Sequence, residues 1–483
     1  MDNNTFIPQA FIDKMVSILP TNLNIDDLVA ACRRPLRRAI RVNTIKISID
    51  NFIAIAKKKD WQLTQIPWCN EGFWIEIKEE ITPLGNSAEH LAGLFYIQEA
   101  SSMMPVSALL HHLIDQKIGA PTLLDAAAAP GSKTTQLAAA LDNRGLIIAN
   151  EYSSSRIKML HANIQRCGIK NVALTHFDAA VFGKWLPNTF DAILLDAPCS
   201  GEGTVRKDKH AMKNWNQVSI ESIATVQKTL IESAFQALKP GGIMVYSTCT
   251  LSLEENQEVC AQLQLSYPDN VEYLSLENLF PDANKTLTEE GFLHIWPQIY
   301  DSEGFFVAAI KKNDQIESKK AQKRLAKFPF NPASSITQKA LYSYFDNQFG
   351  VNEVDGLLYQ RDNEFWLFPE NIVPLIDQLR FSRLGIKVAE QFGKGRKCGF
   401  KITHEFASCY GQQATKNLMV LASHQAREYL QGRDIYDIDT SSSTGEVLVS
   451  YQGYTLGLGK SLDNRIKNNL PRDLIIDKNL FED

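Results

Sequence analysis

The chain has 483 residues, 44% hydrophobic and 22% charged, which is too long for one hydrophobic core and predicts about three domains in a folded globular protein. No run approaches the roughly 18 uninterrupted apolar residues of a membrane helix, and residues 1–10 lack the basic-then-apolar order of a signal peptide, so a cytoplasmic protein without membrane contact is expected. The net charge of −5 does not announce a nucleic-acid partner, and the eight cysteines, with no CxxC pair, give neither a disulfide framework nor a metal site.

In chain order, residues 33–46 carry six basic residues and no acidic one, a candidate phosphate-contacting surface that includes Arg37, Arg38 and Arg41. Apolar patterning predicts strands at 41–47, 61–66 and 72–77 and a helix at 49–59, a small α/β module within 1–119. From 120 to 312 short apolar runs alternate with helical stretches, the order of a parallel sheet with crossover helices. Strands are expected at 122–126, 145–150, 171–175, 191–195 and 243–247, the last preceded by a break at Pro240-Gly241-Gly242. A pair at 291–296 and 304–310 suits an antiparallel hairpin at the sheet edge. Residues 311–327 are polar and lysine-rich, and a basic linker is expected over 313–330. An intermediate module over 331–390 begins with a helical patch at 335–345. The run 380–401 carries seven basic residues against one acidic, and 447–450 and 454–459 bracket a Gln452-Gly453 turn. The closing region, 391–483, is expected to be a mostly β module with a basic side, and removal of the last hundred residues to leave the preceding sheet domain intact.

The chemistry concentrates at predicted strand ends. Leu123-Leu-Asp-Ala-Ala-Ala-Ala-Pro-Gly-Ser-Lys-Thr-Thr135 takes a buried strand into a small-residue turn and then a helix, which lets a cofactor approach the backbone. Glu151 ends the second strand, where a nucleotide site places a ribose-binding carboxylate; Asp178 follows the third and Asp196 ends the fourth. Each alone could be a helix cap or loop acid. Together they fit a ligand at the carboxyl ends of an open α/β sheet. Asp196-Ala-Pro-Cys-Ser-Gly201 and Ser247-Thr-Cys-Thr-Leu251 put Cys199 and Cys249 at the ends of adjacent strands, facing one cleft. A free cysteine is usually a small buried hydrophobe, but Pro, Gly and Ser neighbours mark loops at a site edge. A thiolate is also what methylation of pyrimidine C5 requires, because addition at C6 turns C5 into a nucleophile.

These residues resemble the Nop/Sun family of RNA cytosine-C5 methyltransferases. The resemblance runs from about Arg37 to Lys312 through Arg41-Val-Asn43, Tyr96-Ile-Gln-Glu-Ala-Ser-Ser102, the Ala-Ala-Pro-Gly turn and both cysteine motifs. Leu456-Gly-Leu-Gly-Lys460 and Asn464-Arg-Ile-Lys-Asn468 resemble a PUA-like RNA-binding module. The resemblance implies a Rossmann-like domain that binds S-adenosylmethionine through Ala127, Ala128, Ala129, Pro130, Gly131, Ser132 and Lys133 with Glu151, Asp178 and Asp196. It implies Cys249 as nucleophile and Cys199 as the residue assisting product release, whereas Pro198-Cys199 alone would suggest the opposite. It adds Asn43 to Arg37, Arg38 and Arg41 as candidate RNA contacts. In the family's commoner turn a cysteine stands at position 127 and a glycine at 132; neither change removes a reactive group.

The expected mechanism flips a cytosine against the cofactor; Cys249 adds to C6, Asp196 hydrogen-bonds the N3 and N4 edge, and Lys133 orients Asp196 or the base. The substrate implied is small-subunit ribosomal RNA, alone or in the assembled subunit, acted on by a monomer. Transfer RNA, DNA, or a non-catalytic role in ribosome assembly are the alternatives. His294, Trp296 and Phe306 could contact the base or pack in the core.

Overall fold

The computed structural model describes residues 5–116, 118–316, 327–393, 399–440, 445–476 and 479–481. Two helices where no element was expected, Gln9–Ile18 and Ile25–Arg33, open the chain; Asn24 caps the second by accepting from the Asp26 N–H at 2.7 Å. Strands β1 (Ala39–Val42), β2 (Gln62–Gln65), β3 (Gly72–Glu76) and β4 (Phe95–Ile97) then form an antiparallel sheet in the order β2-β3-β1-β4. Helix Ile49–Lys58 packs its Phe52 edge-on against Phe95, ring centroids 5.6 Å apart. The strand expected at 41–47 ends at Val42, because Asn43 accepts from the Lys46 N–H and starts a turn.

The central sheet carries β5 (Thr122–Asp125), β6 (Leu146–Asn150), β7 (Val172–Thr175), β8 (Phe190–Asp196) and β9 (Leu238–Thr248), all parallel, in the order β9-β8-β5-β6-β7. Their near-continuous apolar runs follow from burial on both faces. Leu123, Ile147 and Leu194 pack with Leu109, Leu137 and Leu160 on one face; Leu124, Ile148 and Leu195 pack with Phe182, Ile231 and Phe235 on the other. Gly168 ends helix Ser154–Cys167 at φ +70°, a conformation suited to glycine. Strand order reverses at β5, the switch point where open α/β sheets bind ligands.

Two expectations change here. Pro240-Gly241-Gly242 does not precede β9 but bulges within it, since Phe190 faces Leu238 and Ala192 faces Ile243. The hairpin is not simply an edge element: β12 (Phe305–Lys312) lies inside the sheet, antiparallel to β9, while β10 (Val271–Leu274) and β11 (Leu293–Ile295) share its outer side.

After residue 330, β13 (Asn331–Pro332), β14 (Leu357–Arg361), β15 (Glu364–Phe368), β17 (Ile386–Phe392) and β18 (Gly399–Ile402) form an antiparallel sheet with helix Ser335–Phe349, while β16 (Arg383–Leu384) adds itself to β7. Strand β17 runs through position 390, so this sheet continues past the expected division there to Ile402. Most of the expected linker (317–326), and Lys394, Arg396 and Lys397 of the basic run, lie outside the described residues. The last sheet orders β19 (Leu418–Val420), β21 (Gly445–Tyr451), β22 (Tyr454–Leu462), β23 (Arg465–Asn468) and β20 (Ile435–Tyr436). Its Gln452-Gly453 turn has both residues at positive φ, the primed geometry that matches strand twist. This module and the first share one core, in which Ile40, Val42 and Phe95 join Tyr429, Val447 and Phe481. Among the described residues no helix is long and apolar enough to cross a membrane.

Candidate active site

Strand β5 ends in Asp125, whose carboxylate accepts from Thr134 Oγ1 at 2.6 Å; burial pushes its pKa up to about 7. The turn from Ala127 to Gly131 is strapped to β6, with Ala128 N–H donating to Asn150 O at 2.8 Å and Ala129 N–H to Glu151 Oε2 at 3.3 Å. Gly131, at φ +109°, precedes helix Ser132–Ala140, and a Cβ there would lie 3.0 Å from Leu160 Cδ1. The turn therefore presents backbone and a helix N-terminus to the cleft. Glu151 is buried, also accepts from the Ser153 N–H at 2.8 Å and pairs with Arg156 at 3.5 Å. Asp178 is exposed and caps the short turn after β7 by accepting from the Ala180 N–H.

Asp196, at the end of β8, accepts from Lys133 Nζ at 2.6 Å and from Ser247 Oγ at 2.8 Å. Lys133 also donates to Ser102 Oγ at 2.9 Å. Three residues beyond Asp196, Cys199 Sγ lies 3.0 Å from Cys249 Sγ, and both cysteines are free. The Cys249 contact and burial hold the Cys199 thiol well above its ordinary range.

Two buried acids fix the cysteine loops. Glu255 accepts from the Ser200 N–H and from Gln227, which also bonds Pro198 O. Glu202 accepts from Thr250, the Leu251 N–H, Ser252 and Trp215. Neither acid was anticipated, although each lies within six residues of Cys199 or Cys249. Ser102 and Glu99 stand in the Tyr96–Ser102 motif, to which no role was given.

Among the candidate RNA contacts, Arg38 is exposed and pairs with Glu80, and Arg37 stacks on Trp74 with 4.1 Å to the ring centroid. Arg41 and Asn43 are corrected, since both are only 2% exposed. Arg41 donates to Gln98 Oε1 at 2.9 Å and to Thr135 Oγ1 at 2.8 Å; Asn43 donates to Gly93 O and Cys167 O. They brace the helix start after the 127–131 turn and its neighbours, and their buried side chains present almost no surface to solvent. His294, Trp296 and Phe306 are likewise core residues: the His294 ring lies tilted against Trp296 with centroids 4.4 Å apart, and burial pushes the His294 pKa down to about 4.

The chain's segments match four family models in order. Residues 7–100 match the N-terminal domain of 16S rRNA methyltransferase RsmF, and 115–311 match 16S rRNA methyltransferase RsmB/F. Residues 330–408 match the ribosomal RNA small subunit methyltransferase F pre-PUA domain, and 416–476 the methyltransferase RsmF PUA domain. The chain is 65% identical to ribosomal RNA small subunit methyltransferase F of Psychromonas ingrahamii and 54% identical to that of Vibrio parahaemolyticus, with 100% of both chains covered in each case. Among solved structures it is similar to a methyltransferase homolog protein from Pyrococcus horikoshii, at 34% identity and TM-score 0.52 over 64% of this chain and 100% of that one. NSun6 from the same organism, solved with SFG, shares the fold at 23% identity and TM-score 0.55 over 64% of this chain and 99% of that one.

Proposed function

The chain belongs to the ribosomal RNA small subunit methyltransferase F family, and from that premise we propose that it methylates C5 of one cytosine in small-subunit ribosomal RNA, with Cys249 as nucleophile and S-adenosylmethionine as donor. The observation that carries this reading is the thiol pair, Cys199 and Cys249 at 3.0 Å, beside the Asp196–Lys133 ion pair.

The turn 127–133 and Glu151, with Asp178 and Asp196 above them, are the residues to hold S-adenosylmethionine, which supplies the methyl group. The buried Glu151 carboxylate and the helix start after Gly131 suit a ribose and an amino-acid carboxylate respectively. Cys249 adds through Sγ to C6 of the flipped base, and C5 becomes electron-rich. Asp196, oriented by Lys133 and Ser247, accepts from the N4 amino group and draws electron density towards C5. Once C5 carries the methyl group, its proton passes to solvent water, the C5–H electron pair re-forms the C5–C6 double bond, and the C6–S pair leaves on Cys249 as a thiolate. Cys199 keeps its own proton through burial and the Cys249 contact, so it can share or hand that proton to the departing sulfur.

The exposed Arg33, Arg34 and Lys207 flank this cleft, because Arg206 holds the backbone of residues 34 and 35 through Arg34 O and Pro35 O. Their charge suits an RNA backbone. Bisulfite mapping of RNA from cells with and without the gene tests the assignment. Loss of one 5-methylcytosine from small-subunit ribosomal RNA is expected; loss from transfer RNA alone, or no loss, would overturn it.

A further inference from the structure

The mechanism above uses Asp196 on one edge of the base and leaves a second buried carboxyl at the same cleft without a task. Glu303 is 5% exposed, and its Oε1 has no hydrogen-bond partner among the described residues. Its position is fixed from two sides. On one, the Gly304 N–H donates to Gly203 O at 3.1 Å and the Gly203 N–H to Cys249 O at 3.0 Å, so the Glu303–Gly304 backbone interlocks with the segment joining the cysteine loops. Gly304 permits this approach, since a Cβ there would lie 3.0 Å from Gly203 Cα. On the other side, Glu99 accepts from the Glu303 N–H at 3.2 Å and from the Ser102 N–H at 3.1 Å, and Ser102 accepts from Lys133, the partner of Asp196. The next aromatic residue, Phe305, has its ring 5.8 Å from Lys133 Nζ.

We propose that Glu303 is a further base-contacting residue of this active site, its carboxyl group donating a hydrogen bond to the N3–O2 edge of the target cytosine while Asp196 holds N4. The inference rests on the reading of Cys249 and Asp196 given above. A buried carboxyl oxygen without a hydrogen bond is costly in a folded protein unless a proton, a water or a ligand completes the group. The charged groups that face it are Glu99, Lys207, Lys133 and Arg206; burial and Glu99 outweigh the three cations and push its pKa up to about 8. Below that pH it carries a proton, and a carboxylic acid needs an acceptor. Cytosine offers N3 and O2, whereas uracil offers an N3–H, so the contact selects cytosine. Addition of Cys249 at C6 places negative charge on that same edge, and the donor strengthens as the transition state forms.

The test compares wild type with Glu303→Ala and Glu303→Gln on small-subunit ribosomal RNA across pH, with S-adenosylmethionine affinity measured by calorimetry. Glu303→Ala is expected to lower kcat/KM for RNA roughly 100-fold at pH 7 and to leave cofactor affinity unchanged. Wild-type activity is expected to fall as pH rises through about 8, and Glu303→Gln, whose amide donates at every pH, to retain activity without that fall. Full activity of Glu303→Ala, or a Glu303→Gln profile that falls with the wild type, would overturn the proposal. Should Glu303→Ala not fold, the Glu303→Gln profile decides. A wild-type protein that methylates cytosine in no RNA would overturn the functional reading itself and this inference with it.

Discussion

Cys199 and Cys249 are chemically alike and 3.0 Å apart, so their roles separate only in what each loss leaves behind. Cys249→Ala removes the attacking sulfur and should abolish both methylation and any covalent RNA complex. Cys199→Ala should attack, accept the methyl group and stall, leaving enzyme joined to RNA through Cys249 as a denaturation-resistant band of higher mass. An adduct with Cys249→Ala and none with Cys199→Ala would reverse the assignment. The two acids proposed to hold the cofactor differ too. Glu151→Ala removes a buried carboxylate that straps Ala129 and Ser153 and should weaken S-adenosylmethionine binding by about 1–3 kcal/mol; the exposed Asp178 should cost less when replaced, and unchanged calorimetric affinity in both would refute their role. The cysteines and Asp196 were legible because each stands in a contiguous motif at a strand end. Glu303 and Ser102 were not, because their roles arise from partners 204 and 31 residues away in the chain. Arg41, read with its basic neighbours, and Asn43, added through the family motif, were expected at an RNA surface; neither signal carries burial, and only the fold reveals both as a buried frame.

That frame belongs to strand β1 as an element, through which the first sheet reaches the turn proposed to hold the cofactor. Arg41 ties Gln98 of the loop after β4 to Thr135 in the first turn of helix Ser132–Ala140. Arg41→Ala therefore leaves buried Gln98 Oε1 unpaired and takes from Thr135 the donor to its hydroxyl oxygen, and should cost about 1–3 kcal/mol of stability, seen as a lower melting temperature together with weaker S-adenosylmethionine binding. It should leave the slope of RNA affinity against log salt unchanged. Replacing the exposed Arg33, Arg34 and Lys207 should flatten that slope by about one unit for each phosphate no longer neutralised; a flattened slope in Arg41→Ala would restore it as an RNA-binding residue. At this scale the five parallel strands were legible because burial on both faces makes them continuous apolar runs. Strand β10 was not, since three of its four residues are only partly buried and it lacks such a run. The hairpin's place was misjudged for the same reason: β10 pairs with the far end of β12 and turns an expected edge into an interior strand.

For the whole molecule, composition indicated several modules but not that the first and last share a core. Ile40, Val42 and Phe95 of the first sheet pack in one cluster with Tyr429, Val447 and Phe481 of the last. The buried Lys46 ammonium donates to Ala92 O, Arg166 O and Ser408 Oγ and so joins three segments distant in sequence. Periodicity assigns an apolar face to each module without saying which module covers it, so the expectation that the last hundred residues could be removed without disturbing the sheet domain followed from sequence alone. Removal of the last hundred residues cuts inside β16 (Arg383–Leu384) on the edge of β7, and among the residues removed Tyr429, fully buried, donates to Leu458 O at 2.8 Å. A chain ending before residue 416 would keep β16 but strip the cover from Ile40, Val42 and Phe95. Because β1 also carries Arg41, the loss should propagate to the cofactor turn. The truncated protein is expected to melt at lower temperature and to bind S-adenosylmethionine more weakly, in addition to losing RNA affinity. Tyr429→Ala in the full chain should cost about 3–5 kcal/mol, as for other large buried aromatics, and should expose the first sheet to limited proteolysis along with the last. A truncated chain with the melting temperature and cofactor affinity of the full protein would show instead that the two modules fold independently and merely touch.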